Sequence, residues 1–122
     1  MNQWLRVVYA SAMLLLAIPT AVAAPAHPPF MTVGKLLALC GGGDVEFVAC
    51  TSYVKGVADT PKWMPTERGR LQVRIPASVN ELDVLDVAIA GLRDADRSLA
   101  AGPVVWGILL AAYPYRYPED HR

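Results

Sequence analysis

Two cysteines, Cys40 and Cys50, flank a run of three glycines at 41–43, and this arrangement restricts the fold more than any other feature of the chain. Consecutive glycines end a helix and permit a tight reversal of the backbone. Helices on either side of such a turn lie antiparallel, so the two sulfurs can face each other. A disulfide there would clamp the helix pair if the protein folds in an oxidising compartment. Two buried free thiols are the alternative, and they are typical of a cytosolic protein.

The first residues have the pattern of a secretory signal peptide. Arg6 precedes a mostly apolar core at 7–18, whose length of about 12 residues suits a signal peptide. A membrane-spanning helix needs roughly 20 apolar residues, so this core is too short to serve as an anchor. Ala21 and Ala23 supply small residues at the −3 and −1 positions. We therefore expect cleavage after about Ala23, a periplasmic location and no membrane attachment afterwards, which favours oxidised cysteines.

Charge and length limit the class of protein. The chain has 11 basic and 11 acidic residues, a balance that lacks the basic footprint of a nucleic-acid-binding protein. Removal of the signal peptide at 1–23 leaves a flexible Pro-rich segment at 24–29, one helical domain at 30–115 and a charged tail at 116–122. The core of a domain this small is marginal, so a crosslink would stabilise it.

Apolar periodicity in the rest of the chain predicts four helices. Their expected N-terminal residues, in chain order, are Thr32 as a cap, Asp44 as a cap, Ser78 in a capping box with Glu81, and Pro103 as the first helical residue. The second helix should turn Phe47 and Val48 inward. Residues 62–74 have no helical period and indicate a long exposed loop, although alternation of Leu71, Val73 and Ile75 allows a short extended stretch. The predicted fold class is all-α: a small bundle of about four helices with a long mid-chain loop and one disulfide.

The mid-chain loop contains residue types that are typical of protein interfaces. Tryptophan and arginine dominate interface hot spots, and methionine adapts to apolar partners. The candidate partner-binding residues are Trp63, Met64, Glu67, Arg68 and Arg70. An ordinary loop whose tryptophan packs on the core is the alternative. The tyrosines at 113, 115 and 117 can likewise either contact a partner or pack on the last helix.

Residue types that carry catalysis or bind metals are few and scattered. The two histidines, His27 and His121, lie near opposite ends of the chain, so the sequence indicates no metal site and no nucleophile–histidine pair. Asp83 and Asp86 are three residues apart on a predicted helix, which is typical of a solvated face. The glycine run at 41–43 lacks the lysine of a phosphate-binding loop. We expect a protein without enzymatic activity, cofactor or metal.

Four segments of the chain resemble segments of one protein family. Tyr53, Gly56 and Asp59 follow Cys50 at the steps of its signature. The segments that carry the resemblance are 30–40 for its opening helix, 50–59 for the signature, 75–82 for the Pro-led start of its third helix and 109–114 for its closing helix. On these residues the chain resembles the Rap/Tai immunity proteins of type VI secretion systems.

The resemblance implies a helical periplasmic protein, often a homodimer, that binds a toxic peptidoglycan amidase and blocks its active site. The family often has a second cysteine pair at two positions that are Arg74 and Tyr115 here. Their joint replacement is expected if the two positions pair with each other. The segment 63–70 is our candidate for the part that contacts the amidase. Two alternatives are a periplasmic acid-stress chaperone, suggested by the apolar run at 104–110, and an orphan helical domain that shares only the fold.

Overall fold

The computed structural model of this protein describes residues 27–66 and 69–117. Helices and strands follow in the order α1 (Val33–Cys40), α2 (Asp44–Asp59), β1 (Trp63–Thr66), β2 (Gly69–Val73), α3 (Glu81–Arg93), α4 (Ala101–Ala112) and β3 (Pro114–Tyr117). The prediction of an all-α bundle is wrong, because the four helices share the fold with a three-stranded antiparallel sheet in the order β1-β2-β3. The predicted signal peptide at 1–23 and the end of the predicted tail at 118–122 lie outside the described residues. None of the described helices is both long and apolar enough to cross a bilayer.

The sheet forms from the segment that was predicted to be a long loop and from the chain after α4. β1 and β2 form a hairpin in which Trp63 lies opposite Gln72. Gly69 has φ 119°, a backbone conformation that residues other than glycine rarely adopt, so it permits the reversal between the two strands. The expected extended stretch at Leu71 and Val73 is confirmed as part of β2. The all-α prediction failed because β1 and β3 have four residues each, and β1 shows no alternation of apolar and polar residues.

Each free edge of the sheet carries a proline at a position whose backbone points outward. The N–H of Arg74 donates to the carbonyl of Tyr113 at 2.9 Å, which sets the alternation of hydrogen bonds between β2 and β3. By this alternation and the strand registers, Pro114 on β3 and Pro65 on β1 face away from β2. Proline has no N–H, so each edge lacks one donor that an added strand would need. The sheet is therefore better suited to contact a partner through its face than through its edges.

Side-chain caps begin two of the helices. The predicted cap of α1 is confirmed, because Thr32 Oγ1 accepts a hydrogen bond from the Lys35 N–H at 3.2 Å. The predicted capping box at Ser78 is wrong. Asn80 Oδ1 accepts from the Asp83 N–H at 2.9 Å and α3 begins after it. Asparagine caps as well as serine does, and Ser78 instead lies in a turn that precedes the helix.

The other two helices begin slightly before the predicted positions. Gly43 occupies the cap position of α2, and Asp44 is its first helical residue. A carboxylate in the first turn is favourable there because the helix dipole is positive at that end. α4 begins at Ala101, so Pro103 is its third residue rather than its first. The first turn tolerates proline because its N–H groups have no partner within the helix.

The cysteine prediction is confirmed by a disulfide between Cys40 and Cys50, with S–S 2.05 Å and Cα–Cα 5.0 Å. It joins the end of α1 to α2, and Cys50 is fully buried. The expected inner side of α2 is partly wrong, because Val48 is 63% exposed and Phe47 is 37% exposed. Val48 is two residues from Cys50, about 200° around the helix, so the disulfide turns it away from the core.

α4 lies at the centre of the core, in contact with the other three helices and with β2 and β3. The apolar run at 104–110 belongs to this helix, and its Val105 and Leu109 are fully buried. The buried core residues are Val33, Leu36, Cys50, Val54, Val84, Leu85, Ala88, Leu92, Ala101, Val105 and Leu109. α3 approaches α4 closely at Gly91, where a Cβ would lie 2.6 Å from Ile108 Cδ1. The helices thus form a firm support for the sheet.

Candidate interaction surface on the sheet

One face of the sheet collects aromatic and arginine side chains. Residues opposite each other in an antiparallel sheet share a face, as do alternate residues along a strand. The registers therefore place Trp63, Gln72 and Tyr115 on one face together with Arg70 and Tyr117. We call this the aromatic–arginine face, and its residues are Trp63, Pro65, Arg70, Gln72, Arg74, Tyr115 and Tyr117. On the opposite face, Val73 packs against the core.

Rings and guanidinium groups alternate across the aromatic–arginine face. Arg70 Cζ lies 5.5 Å from the centre of the Trp63 ring, and Arg74 Cζ lies 4.4 Å from the centre of the Tyr115 ring. Both distances are within the range at which the negative face of a ring attracts a cation. Tyr115 also meets Tyr117 edge to face at a centroid distance of 4.6 Å. These contacts restrict the rotamers of long side chains that would otherwise be mobile on the surface.

The exposed part of this face is shallow. Trp63, Arg70, Gln72 and Tyr117 line a pocket of about 150 Å³. Cavities that enclose small-molecule ligands are roughly 300–1,000 Å³, so this pocket suits a single side chain of a larger partner. Trp63 is 53% exposed and Tyr117 is 42% exposed. Trp63 therefore does not pack into the core, and two large aromatic groups are available for contact.

The structure divides the predicted partner-binding residues. It brings Trp63 and Arg70 together on the aromatic–arginine face. Met64 is exposed but lies on the opposite face, because it is adjacent to Trp63 in β1. Glu67 and Arg68 lie outside the described residues. Trp63 and Arg70 are thus the members of the predicted set that form a common surface.

The sequence prediction missed two residues of this face, Gln72 and Arg74. Gln72 and Arg74 alternate with Leu71 and Val73, so the same period-two pattern that predicted an extended stretch could have assigned them to its outer side. Tyr115 was considered only as part of a tyrosine cluster. Its position beside Arg74 depends on the return of the chain as β3, for which the sequence carries no local signal.

The sheet is basic in the part that the structure describes. Lys62, Arg70, Arg74 and Arg116 lie on the strands or directly beside them, whereas the described stretches 60–66, 69–79 and 113–117 contain no aspartate or glutamate. The acidic side chains of the described residues lie on the helices and the α3–α4 connection. This separation of charge favours an acidic partner at the sheet.

The three signature residues on α2 do not belong to this surface. Tyr53 lies against α4, with its hydroxyl 3.3 Å from the place where a Cβ on Gly102 would be. Gly56 is exposed and has no neighbouring atom within 4 Å of the place of its Cβ, so the described residues give it no steric role. Asp59 ends α2 and lines a pocket of about 220 Å³ between α2 and α3. Tyr53 is thus a packing residue in this fold.

An exposed ion pair lies at the pocket between α2 and α3. Lys55 Nζ donates a hydrogen bond to Glu81 Oε1 at 2.8 Å. This hydrogen bond, followed by the negative charge of Glu81, raises the pKa of Lys55 above its ordinary value. Both side chains are at least half exposed, so water and salt screen the pair and it contributes little to stability.

No family model, curated protein or solved structure matches this chain. Residues 27–66 and 69–117 contain no group of three or more histidine, cysteine, aspartate or glutamate side chains placed to hold a metal ion. The functional assignment therefore depends on the geometry of the aromatic–arginine face and on the sequence resemblance.

Proposed function

We propose that this protein is a periplasmic immunity-type binding protein that neutralises a peptidoglycan amidase of type VI secretion by covering its active site. The observation that carries the proposal is the aromatic–arginine face, on which Trp63, Arg70 and Tyr117 are exposed side by side. Tryptophan, tyrosine and arginine are the residue types that contribute most to binding energy in protein interfaces. Inhibition by contact requires such a surface and needs no catalytic group on the inhibitor.

A contact between two sheet residues supports the relation to the Rap/Tai family. The resemblance implies that the positions of Arg74 and Tyr115 carry a second cysteine pair in other members, and a disulfide requires the two positions to be close. Here the Arg74 guanidinium lies over the Tyr115 ring. Two positions that are far apart in the sequence, and that the resemblance couples, are therefore neighbours in the fold. The register places Arg74 opposite Tyr113 and Tyr115 opposite Gln72, so the two positions are diagonal neighbours rather than a direct pair.

The scaffold suits inhibition by contact because the face is held from several sides. β2 lies between β1 and β3, β2 and β3 contact α4, and the disulfide joins the first two helices. A surface that is ordered before binding loses less conformational entropy when the complex forms. The binding energy of the exposed rings is then available for affinity.

The chaperone alternative depended on the apolar run at 104–110. In the structure this run is part of α4 at the centre of the core, where Val105 and Leu109 are fully buried. Exposure of that run to a client would require the core to open. The aromatic–arginine face, in contrast, is accessible in the folded protein, which is why we favour the immunity function.

A binding experiment with the amidases encoded in the same genome tests the proposal. We expect at least one amidase to form a stoichiometric complex with the oxidised protein and to lose its activity on peptidoglycan. Trp63→Ala should weaken that complex by at least about tenfold, with little change in melting temperature, because half of the side chain is already in water. Leu82→Ala is the matched control, since Leu82 is also a large exposed apolar residue, 61% exposed, but belongs to α3 and not to the sheet.

Two outcomes would contradict the proposal. One is a folded protein with an intact disulfide that binds none of these amidases. The other is a complex whose affinity is unchanged by Trp63→Ala but reduced by Leu82→Ala, which would place the interface on the helices.

A further inference from the structure

We propose that the aromatic–arginine face recognises two carboxylates on an acidic protein surface, one bound by Arg70 and the other by Arg74. This inference takes from the proposed function that the partner is a protein. It adds the chemistry of the surface that the partner presents.

Arg70 lies on β2 and Arg74 directly follows its last residue, so the strand sets the spacing of their Cα atoms. Arg70 and Arg74 are four residues apart in extended backbone, and each residue advances the chain by about 3.3 Å. Each guanidinium lies over an aromatic ring of a neighbouring strand, Arg70 over Trp63 and Arg74 over Tyr115. A guanidinium held in this way loses less side-chain entropy when it binds a carboxylate through two parallel hydrogen bonds.

Neither guanidinium has a hydrogen-bond or ion-pair partner among the described residues. Arg70 and Arg74 contact rings, and the described parts of the three strands contain no carboxylate. Arg116 lies on the opposite face of the same sheet and differs in this respect. Its Nη1 donates to Thr66 Oγ1 at 2.8 Å. Arg116 is therefore an internal control, an arginine on the other face of the same sheet with one hydrogen bond made within the fold.

The geometry favours a protein over a small ligand. The two guanidinium groups lie over rings on different strands, Arg70 over Trp63 of β1 and Arg74 over Tyr115 of β3, which favours two separate carboxylates over one shared phosphate or carboxylate. The pocket beside Arg70, at about 150 Å³, is smaller than the cavities that enclose small molecules. A neutral sugar would stack on Trp63 but would leave both cations without a counter-charge. Two carboxylates four residues apart on an extended segment match the separation of the two arginines along the backbone, and Gln72, midway between them in the chain, can bind the backbone of that segment.

The test uses synthetic peptides of extended character and nuclear magnetic resonance of the oxidised protein. The first peptide carries two glutamates four residues apart, the second carries them two residues apart, and the third has glutamine at both places. We expect the first to shift the Trp63 Nε1–H and the Nε–H signals of Arg70 and Arg74, with at least about tenfold weaker binding of the other two.

Variants separate bidentate recognition from simple charge attraction. Arg70→Lys and Arg74→Lys keep the charge but lose the planar fork, so each should weaken the first peptide by about tenfold. Arg116→Lys should leave its affinity unchanged. Affinity that is unchanged in Arg70→Lys and Arg74→Lys, the absence of shifts with the first peptide, or shifts produced instead by chitotriose would each overturn the inference.

The two proposals can fail separately. Peptide binding as expected, without binding to any amidase, would leave the carboxylate inference in place and remove the amidase as the partner. Amidase binding that is unaffected by Arg70→Lys and Arg74→Lys would remove the carboxylate inference alone.

Discussion

Two helical glycines should respond in opposite directions to the same substitution. Gly91 lies in the last turn of α3 and Gly107 lies within α4. Replacing a helical glycine with alanine lowers the entropy of the unfolded chain and stabilises the helix by about 0.5–1 kcal/mol where the new methyl group has room. A Cβ on Gly107 would have no atom within 4 Å, so Gly107→Ala should show this gain.

Gly91 lacks that room. A Cβ there would lie 2.6, 2.7 and 2.9 Å from three side-chain carbons of Ile108 on α4. Overpacking of this kind costs about 1–3 kcal/mol, which exceeds the gain in helix propensity. We therefore expect Gly91→Ala to be less stable than Gly107→Ala by about 1–3 kcal/mol. Because all three carbons lie beyond Cβ of Ile108, Gly91→Ala combined with Ile108→Ala should be more stable than the sum of the two single effects predicts.

Equilibrium unfolding in urea, followed by circular dichroism with the disulfide intact, measures these differences. In a domain of this size, 1 kcal/mol corresponds to about 4–8 °C in melting temperature, so thermal unfolding should rank the variants in the same order. Equal stabilities of Gly91→Ala and Gly107→Ala would refute the close approach of α3 to α4. Additive effects of Gly91→Ala and Ile108→Ala would show that the two side chains do not meet.

Three further predictions concern the crosslink, a helix cap and pH. Cys40→Ala should lower the free energy of unfolding by about 2.7 kcal/mol, the chain-entropy value for a sequence separation of 10. A reductant should destabilise the wild type but not the variant. A wild type that melts equally with and without reductant would show that the disulfide does not stabilise the fold. Asn80→Ala should cost about 1 kcal/mol and Ser78→Ala less than about 0.5 kcal/mol in urea unfolding, the reverse of the order that a capping box at Ser78 would produce. Asp96 accepts hydrogen bonds from the Ser98 N–H at 2.8 Å and the Ser98 hydroxyl at 2.7 Å, which lower the pKa of its carboxyl group. The contribution of Asp96 to stability is therefore present above the pKa of the unfolded chain and is lost as the pH falls through the lower folded pKa. Asp96→Asn should accordingly be less stable than the wild type at neutral pH but not at low pH. A carboxyl resonance of Asp96 that titrates at or above the ordinary aspartate value would contradict this assignment.

Local features of the sequence were sufficient for the helical part of the fold. Thr32 lies next to the helix that it caps, and Cys40 and Cys50 are separated only by a glycine turn and the first turns of α2. These interactions join residues that are close along the chain, so composition and spacing carry the necessary information. The choice of Asn80 over Ser78 as a cap was not predictable in this way, because both residues cap helices well and the preceding turn decides between them.

The sheet and the surface on it depended on tertiary structure. Trp63 and Arg70 were selected from the sequence by residue type, but their common face exists only because β1 pairs with β2 in one register. The contact between Arg74 and Tyr115 requires the chain to return along β2 after two further helices. A shift of one residue in either pairing would send these side chains to the opposite face. β2 and β3 are far apart in the chain and both contact α4, so their register depends on tertiary packing. The sequence identified the residue types of the surface, and the fold decided which of them lie together.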